Sequence, residues 1–314
     1  MISARCDFNS FTSGLTAGAA ARSESFEIGK EGIKMKTMRF QQRIFYLLFN
    51  LTFVMMIVVF FSGCAEVPIT KRRGLHLVPQ TELLTLSLQQ YDQVLKKSKL
   101  STDPNKVQMV RSVGQRIARA SEAFLRDSGR ESQIRDYKWE FNLIEDDKVV
   151  NAWAMPGGKV AVYTGILPIS QTETGLAVVM GHEVAHAMAE HGNERMSQVL
   201  LVNMGGMALS LALSQKPGQT RELFMAAFGV GASVGLLLPY SRLHESEADQ
   251  IGLMLMARAG YDPREAVPFW ERMNKKEGSR PPEFLSTHPA PASRIASLKT
   301  YIPEALPYYQ KSPR

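Results

Sequence analysis

The sequence predicts an α+β fold, mainly helical, with one small β-sheet. Three observations lead there. Strand-like patterning is confined to residues 137–163. Apolar residues recur at helical spacing ahead of it. Beyond Glu173 the spacing is almost entirely helical. A length of 314 residues suffices for one large domain or two small ones, and 45% hydrophobic with 21% charged residues is ordinary for a globular protein.

The elements follow in order. Leu83, Leu84, Leu86, Leu88, Tyr91, Val94 and Leu95 mark a helix over 81–97. A second runs from Pro104 to about Asp127, with Asp103 as N-cap and Pro104 at the first helical position. Tyr137–Ile144 alternates aromatic and β-branched residues, a strand signature. Pro156-Gly157-Gly158 turns the chain into a further strand, Lys159–Tyr163. Helices are expected near 173–190, 194–213, 220–238, 241–259 and 263–276, with Lys216-Pro217-Gly218 breaking the middle pair. Val199–Leu213 and Phe224–Leu238 are strongly apolar but short for a membrane span and interrupted by glycines, so they read as buried or interfacial helices.

Several function classes are excluded. The formal charge is +7; seven Lys/Arg and four Asp/Glu fall in the first 63 residues, so the rest holds 30 against 26, a net of +4. Without a long basic run or an aromatic-interleaved basic stripe there, nucleic acid is not an expected partner. No phosphate-cradling glycine loop followed by Lys-Ser/Thr occurs, so no nucleotide is expected either. The two cysteines, Cys6 and Cys64, form neither a disulfide framework nor a thiolate metal site.

The N-terminal part reads as an address. Residues 44–61 are mostly apolar and follow Lys36, Arg39 and Arg43, the pattern of a secretory signal. Phe61-Ser62-Gly63-Cys64-Ala65 resembles a bacterial lipoprotein processing site, with Phe61 where Leu is usual. This implies a signal peptide over 35–63, lipidation of Cys64, a tether over 64–80 and a domain over 81–314. Ala65 after the cysteine favours the periplasmic face of the outer membrane; the alternative is an inner-membrane signal anchor. Residues 1–34 do not fit a signal and are expected to be an upstream extension, with the start at Met35 or Met38.

The chemistry is concentrated in His182-Glu183-Val184-Ala185-His186. On a helix, residues four apart share a face, so His182 and His186 can offer two imidazoles to one Zn²⁺. Glu183 lies beside them, placed to take a proton from the attacking water and pass it to a leaving amine. A catalytic zinc needs a third protein ligand. Gly192 stands where a third histidine six residues on would be, and His191 reads as a polar or capping residue at the helix end. Glu245 and Asp249, again four apart, are the better source: one can bind metal, the other can fix a histidine tautomer. Glu247 reads as a solvated face residue and His244 as a packed or surface histidine.

These residues resemble the gluzincin metallopeptidase family of CAAX prenyl proteases, HtpX-like heat-shock proteases and their periplasmic lipoprotein relatives. In that family H-E-x-x-H is followed by E-x-x-A-D, matched here by Glu245-Ser246-Glu247-Ala248-Asp249. The resemblance spans about Arg72 to Tyr301 and implies Glu245 as third ligand of a single Zn²⁺, with Asp249 behind a ligand. Asn151, Ala152, Trp153 and Ala154 look like the family's edge strand, able to pair with an extended substrate. Ser286-Thr287-His288-Pro289 and Arg294 look like its later H-P-x-x-x-x-R element. His288 and Arg294 can stabilise a developing oxyanion, or His288 can occupy the open metal position and hold the enzyme latent. Tyr163, Tyr240 and Arg242 are further candidates for contact with the substrate carbonyl. The implied activity is a zinc-dependent endopeptidase acting on unfolded or misassembled envelope polypeptides; the alternative is a lipid-anchored, non-proteolytic chaperone or assembly-factor binding module.

Overall fold

The computed structural model describes residues 41–52, 64–67, 69–204, 221, 227, 241–275, 283–288 and 292–310. The chain divides into two compact units, Met1–Ser62 and Gly63–Arg314. In the first, residues 41–52 form a helix exposed all along its length. Among the described residues no helix is both long and apolar enough to cross a membrane.

The second unit opens with a hairpin: β1, Cys64–Glu66, pairs antiparallel with β2, Arg73–Leu75. Two long helices follow, α1 over Gln80–Lys97 and α2 over Pro104–Asp127. The Asp103 side chain accepts hydrogen bonds from the Asn105 and Lys106 amides at 3.0 and 3.1 Å, satisfying the first orphan donors of α2 as its sequence suggests. The sheet comprises β3, Glu140–Ile144, β4, Ala152–Met155, and β5, Lys159–Tyr163. Its order is β3-β5-β4, with β3 parallel and β4 antiparallel to the central β5. Then come α3, Glu173–Met188, α4, His191–Met204, α5, Arg242–Arg258, α6, Ala266–Lys275, the short α7, Glu283–Thr287, and α8, Ala292–Gln310. The mainly helical α+β class is therefore the one found.

Packing centres on α3, which is buried on every side from Gly175 to Met188. Its partner is α5, and the two helices meet at glycines. A Cβ on Gly252 would lie 2.9 Å from the His182 amide nitrogen, and one on Gly181 would lie 2.9 Å from the Gly252 carbonyl oxygen. The approach is closer than any side chain at either position allows. It seats the first turns of α5 directly against the second half of α3.

Three features depart from the sequence expectations. Residues 64–80, expected as a tether, include the β1–β2 hairpin, and Val67 beside it is 1% exposed within the main core. Helix α8 was not among the expected elements; Pro303 and Pro307 lie inside it and read as breakers. Helix α4 begins at His191, three residues earlier than anticipated. Its expected end, nearly all of the helix near 220–238 and residues 53–61 of the apolar run 44–61 lie outside the described residues.

Candidate metal centre

Local sequence explains why two pairs of side chains meet. Thr172 caps α3 by accepting the Gly175 amide at 3.1 Å, and Ser241 caps α5 by accepting the His244 amide at 3.2 Å. From those starts, His182 and His186 lie one turn apart on α3, as Glu245 and Asp249 do on α5. The Gly181–Gly252 crossing brings the two faces together. The His182 and His186 Nε2 atoms are 3.0 Å apart. Glu245 Oε1 is 3.4 Å from His186 Nε2, and Glu245 Oε2 is 3.6 Å from His182 Nε2. His288, just past α7, adds a third imidazole: its Nδ1 is 3.2 Å from His182 Nε2 and 2.9 Å from Glu245 Oε1.

These residues fit zinc. His182, His186, Glu245 and His288 each present one ligand atom, all within 4.8 Å of one another. A tetrahedral zinc with bonds of ~2.0–2.1 Å separates its donors by about 3.3 Å. The distances of 2.9–3.6 Å bracket that edge. All four residues are buried, and no thiolate contributes.

The surroundings orient the donors. Asp249 Oδ1 lies 3.0 Å from His182 Nδ1, which leaves Nε2 to face the cluster. Burial and Arg294 disfavour a charged His182, but Asp249 and Glu245 outweigh them and raise it to about 9. Burial drives His186 well below the usual histidine value and His288 down to about 4. Arg294 grips Asp249 through Nε and Nη2, both at 2.7 Å, reaches Glu245 Oε2 at 2.7 Å and lies 3.6 Å above the Trp270 ring. It bridges these two carboxylates.

Glu183 is 2% exposed, and among the described residues its Oε1 has no hydrogen-bond partner. Burial pushes its carboxyl up to about 8 against the pull of His182, with Glu245 adding to the rise. The Ala154 amide donates to the same carboxylate, and His288 Nε2 lies 3.4 Å away. Strand β4 is thus next to the cluster at the edge of the sheet. Asn151 O accepts the Tyr163 amide across the β4–β5 ladder, and by alternation the backbone groups of Ala152 and Ala154 point away from β5. Trp153 packs edge-on against Tyr91, with ring centroids 5.8 Å apart. Among the other carbonyl-contact candidates, Tyr163 ends β5, Arg242 is exposed in the first turn of α5, and Tyr240 lies outside the described residues.

Two sequence readings are corrected. Glu247 is not a solvated residue: it is 4% exposed and paired with Arg72 and His191. His191 is fully buried rather than a helix-end cap, with Nδ1 2.9 Å from His186 Nδ1. Glu190, at φ 53°, ends α3 in the left-handed region and turns the chain so that His191 falls back over His186. Helical spacing from His186 carries no signal for this contact, because the two residues are on different helices.

A family model for peptidase family M48 matches residues 92–302. The mitochondrial metalloendopeptidase OMA1 of Schizosaccharomyces pombe is 43% identical over 178 residues, covering 55% of this chain and 50% of that protein. The metalloendopeptidase OMA1, mitochondrial, of Homo sapiens is 31% identical over 262 residues, covering 81% and 49%. The beta-barrel assembly-enhancing protease of Escherichia coli K12 is 29% identical over 220 residues, covering 68% and 42%. The chain spans about half the length of these relatives. With the family match extending across α2 to α8 and enclosing all four donor residues, the chain belongs to peptidase family M48.

Proposed function

We propose that the protein is a zinc-dependent endopeptidase with His182, His186 and Glu245 as metal ligands and Glu183 as general base. The observation that carries this is the convergence of four buried donor atoms at tetrahedral spacing, with a buried carboxylate beside them and a sheet edge alongside. Zinc supplies Lewis-acid polarisation of a peptide carbonyl and acidifies water. The chain does the rest. An extended substrate pairs with the outward carbonyls of Ala152 and Ala154. Glu183, destabilised as an anion by burial, takes the proton of the attacking water and delivers it to the leaving amine. Asp249 fixes the His182 tautomer, and Arg294 holds Asp249 and Glu245 in place.

A second role concerns His288. Its Nδ1 lies 3.2 Å from His182 Nε2 and 2.9 Å from Glu245 Oε1, so it is the candidate to fill the fourth metal position and thereby hold the enzyme latent. For the setting, the reading is a bacterial cell envelope, with Cys64 lipidated and unfolded or misassembled envelope polypeptides as substrates. The N-terminal sequence pattern and the name of the Escherichia coli relative support it; the mitochondrial relatives support a mitochondrial setting instead. Metabolic labelling with palmitate separates the two, since label is expected on the wild type and lost in Cys64→Ser.

The deciding experiment is casein cleavage by wild type and Glu183→Gln, with zinc content measured on both. Loss of cleavage with zinc retained supports the assignment, whereas unchanged cleavage by Glu183→Gln removes Glu183 as base. Zinc in both proteins with cleavage by neither favours latency or a binding module. Activity gained by His288→Ala then selects latency.

A further inference from the structure

Behind the metal cluster lies a second buried polar set that runs to the N-terminal hairpin. His186 turns Nε2 toward the other donors, so its neutral ring carries its proton on Nδ1. That proton has an acceptor in His191 Nδ1, 2.9 Å away. His191 is then protonated on Nε2, which donates to Glu247 Oε2 at 3.2 Å. Glu247 also accepts from Arg72 Nε at 2.7 Å and from the Thr70 hydroxyl at 2.5 Å. Arg72 is itself fixed by its fork to Glu194, at 3.0 and 2.8 Å. Every hydrogen bond in this chain runs toward a carboxylate. His182 Nδ1 meets a carboxylate directly, in Asp249; His186 Nδ1 is joined to one through a second imidazole. The relay ends on a buried carboxylate paired with a guanidinium, Arg72 Nη2 lying 2.7 Å from Glu247 Oε2.

We propose that His191, held by Glu247 and Arg72, is a positioning residue for His186, and that the hairpin carrying Thr70 and Arg72 thereby completes the metal centre. The hairpin precedes the family-matched segment, which begins at residue 92. The inference rests on the zinc reading above. It assigns a task to the stretch between the N-terminal unit and the peptidase domain: the Thr70–Arg72 segment sets ligand orientation at the metal.

The test is zinc affinity of the full chain, measured by competition with a chromogenic chelator, beside thermal unfolding of the metal-free proteins. His191→Phe removes both hydrogen bonds and is expected to weaken zinc about 10–100-fold, the usual effect of losing an outer partner of a ligand histidine. His191→Gln can accept from His186 and donate to Glu247, and is expected to recover most of the affinity. Arg72→Met, which leaves His191 in place but frees Glu247, is expected to weaken zinc less, in the same direction. Leu83→Ala, in a separate part of the core, serves as a destabilised comparison. Wild-type affinity in both His191→Phe and Arg72→Met overturns the relay while leaving the zinc reading intact. An affinity loss that Leu83→Ala reproduces at equal thermal destabilisation also overturns it. A wild type that binds no zinc overturns the reading of the site, and the relay with it.

Discussion

Gly252 offers a direct test of how the two ligand helices are held. A Cβ there would meet the His182 amide nitrogen at 2.9 Å and the Gly181 carbonyl carbon and oxygen at 3.0 and 3.1 Å. Comfortable contacts are ~3.5–4.0 Å, so Gly252→Ala must part α3 from α5 by about 0.5–1 Å at the crossing. The blocking atoms are backbone, and no rotamer change relieves them. Overpacking of this kind costs about 1–3 kcal/mol. Alanine recovers up to ~1 kcal/mol of helix propensity. The net loss is therefore ~0–2 kcal/mol, a fall in Tm of a few degrees for a domain of this size. The metal should suffer more. Glu245, Asp249 and Gly252 share one face of α5, so the shift carries the carboxylates away from the histidines of α3. Metal–ligand distances tolerate only about 0.2 Å, so zinc affinity is expected to drop on the order of tenfold. Calorimetry and a zinc competition titration on the same preparation measure both effects. A Gly252→Ala protein with wild-type zinc affinity would refute the argument that this crossing sets the ligand geometry.

Three other perturbations give distinct outcomes. Arg294→Met leaves the Asp249 and Glu245 carboxylates buried beside one another without their shared cation, and should cost about 3–5 kcal/mol, a fall in Tm of roughly 10 °C by thermal melt. Glu194 and Glu247 are lowered to about 2, where burial is outweighed by His244 and Arg72 at the first and by His191, Arg72 and Thr70 at the second. Since their folded values lie below the ordinary 4.5, the folded state binds fewer protons; the stabilisation is complete above pH 4.5 and is lost as pH falls toward 2. Melts across that range should show a shallower slope for Arg72→Met than for wild type. Thr172→Ala removes the α3 N-cap and should cost about 1 kcal/mol in a urea titration without changing zinc affinity.

Much of this protein was legible in the chain because the relevant signals are local. Asp103-Pro104 starts α2 where cap chemistry requires, since the capping bonds form within three residues. The pairs His182/His186 and Glu245/Asp249 were readable because an α-helix converts a spacing of four into a shared face. Local signals can also point the wrong way: Pro303 and Pro307 mark a break, yet α8 runs through both.

The sequence by itself thus determined most of the helices up to Lys275, the sheet-forming stretch and the candidate pairs His182/His186 and Glu245/Asp249, all of which depend on neighbours within a few positions. Tertiary structure alone decided what those residues face. His191 reaches His186 because Glu190 turns the chain, and Glu247 is an anion under Arg72 because a hairpin 175 residues away folds over it. Arg294 grips Asp249 from α8, 45 residues along the chain. Such contacts depend on helix crossings and chain reversals, which are set by close packing at sites such as Gly181 and Gly252 and leave no periodicity in the sequence.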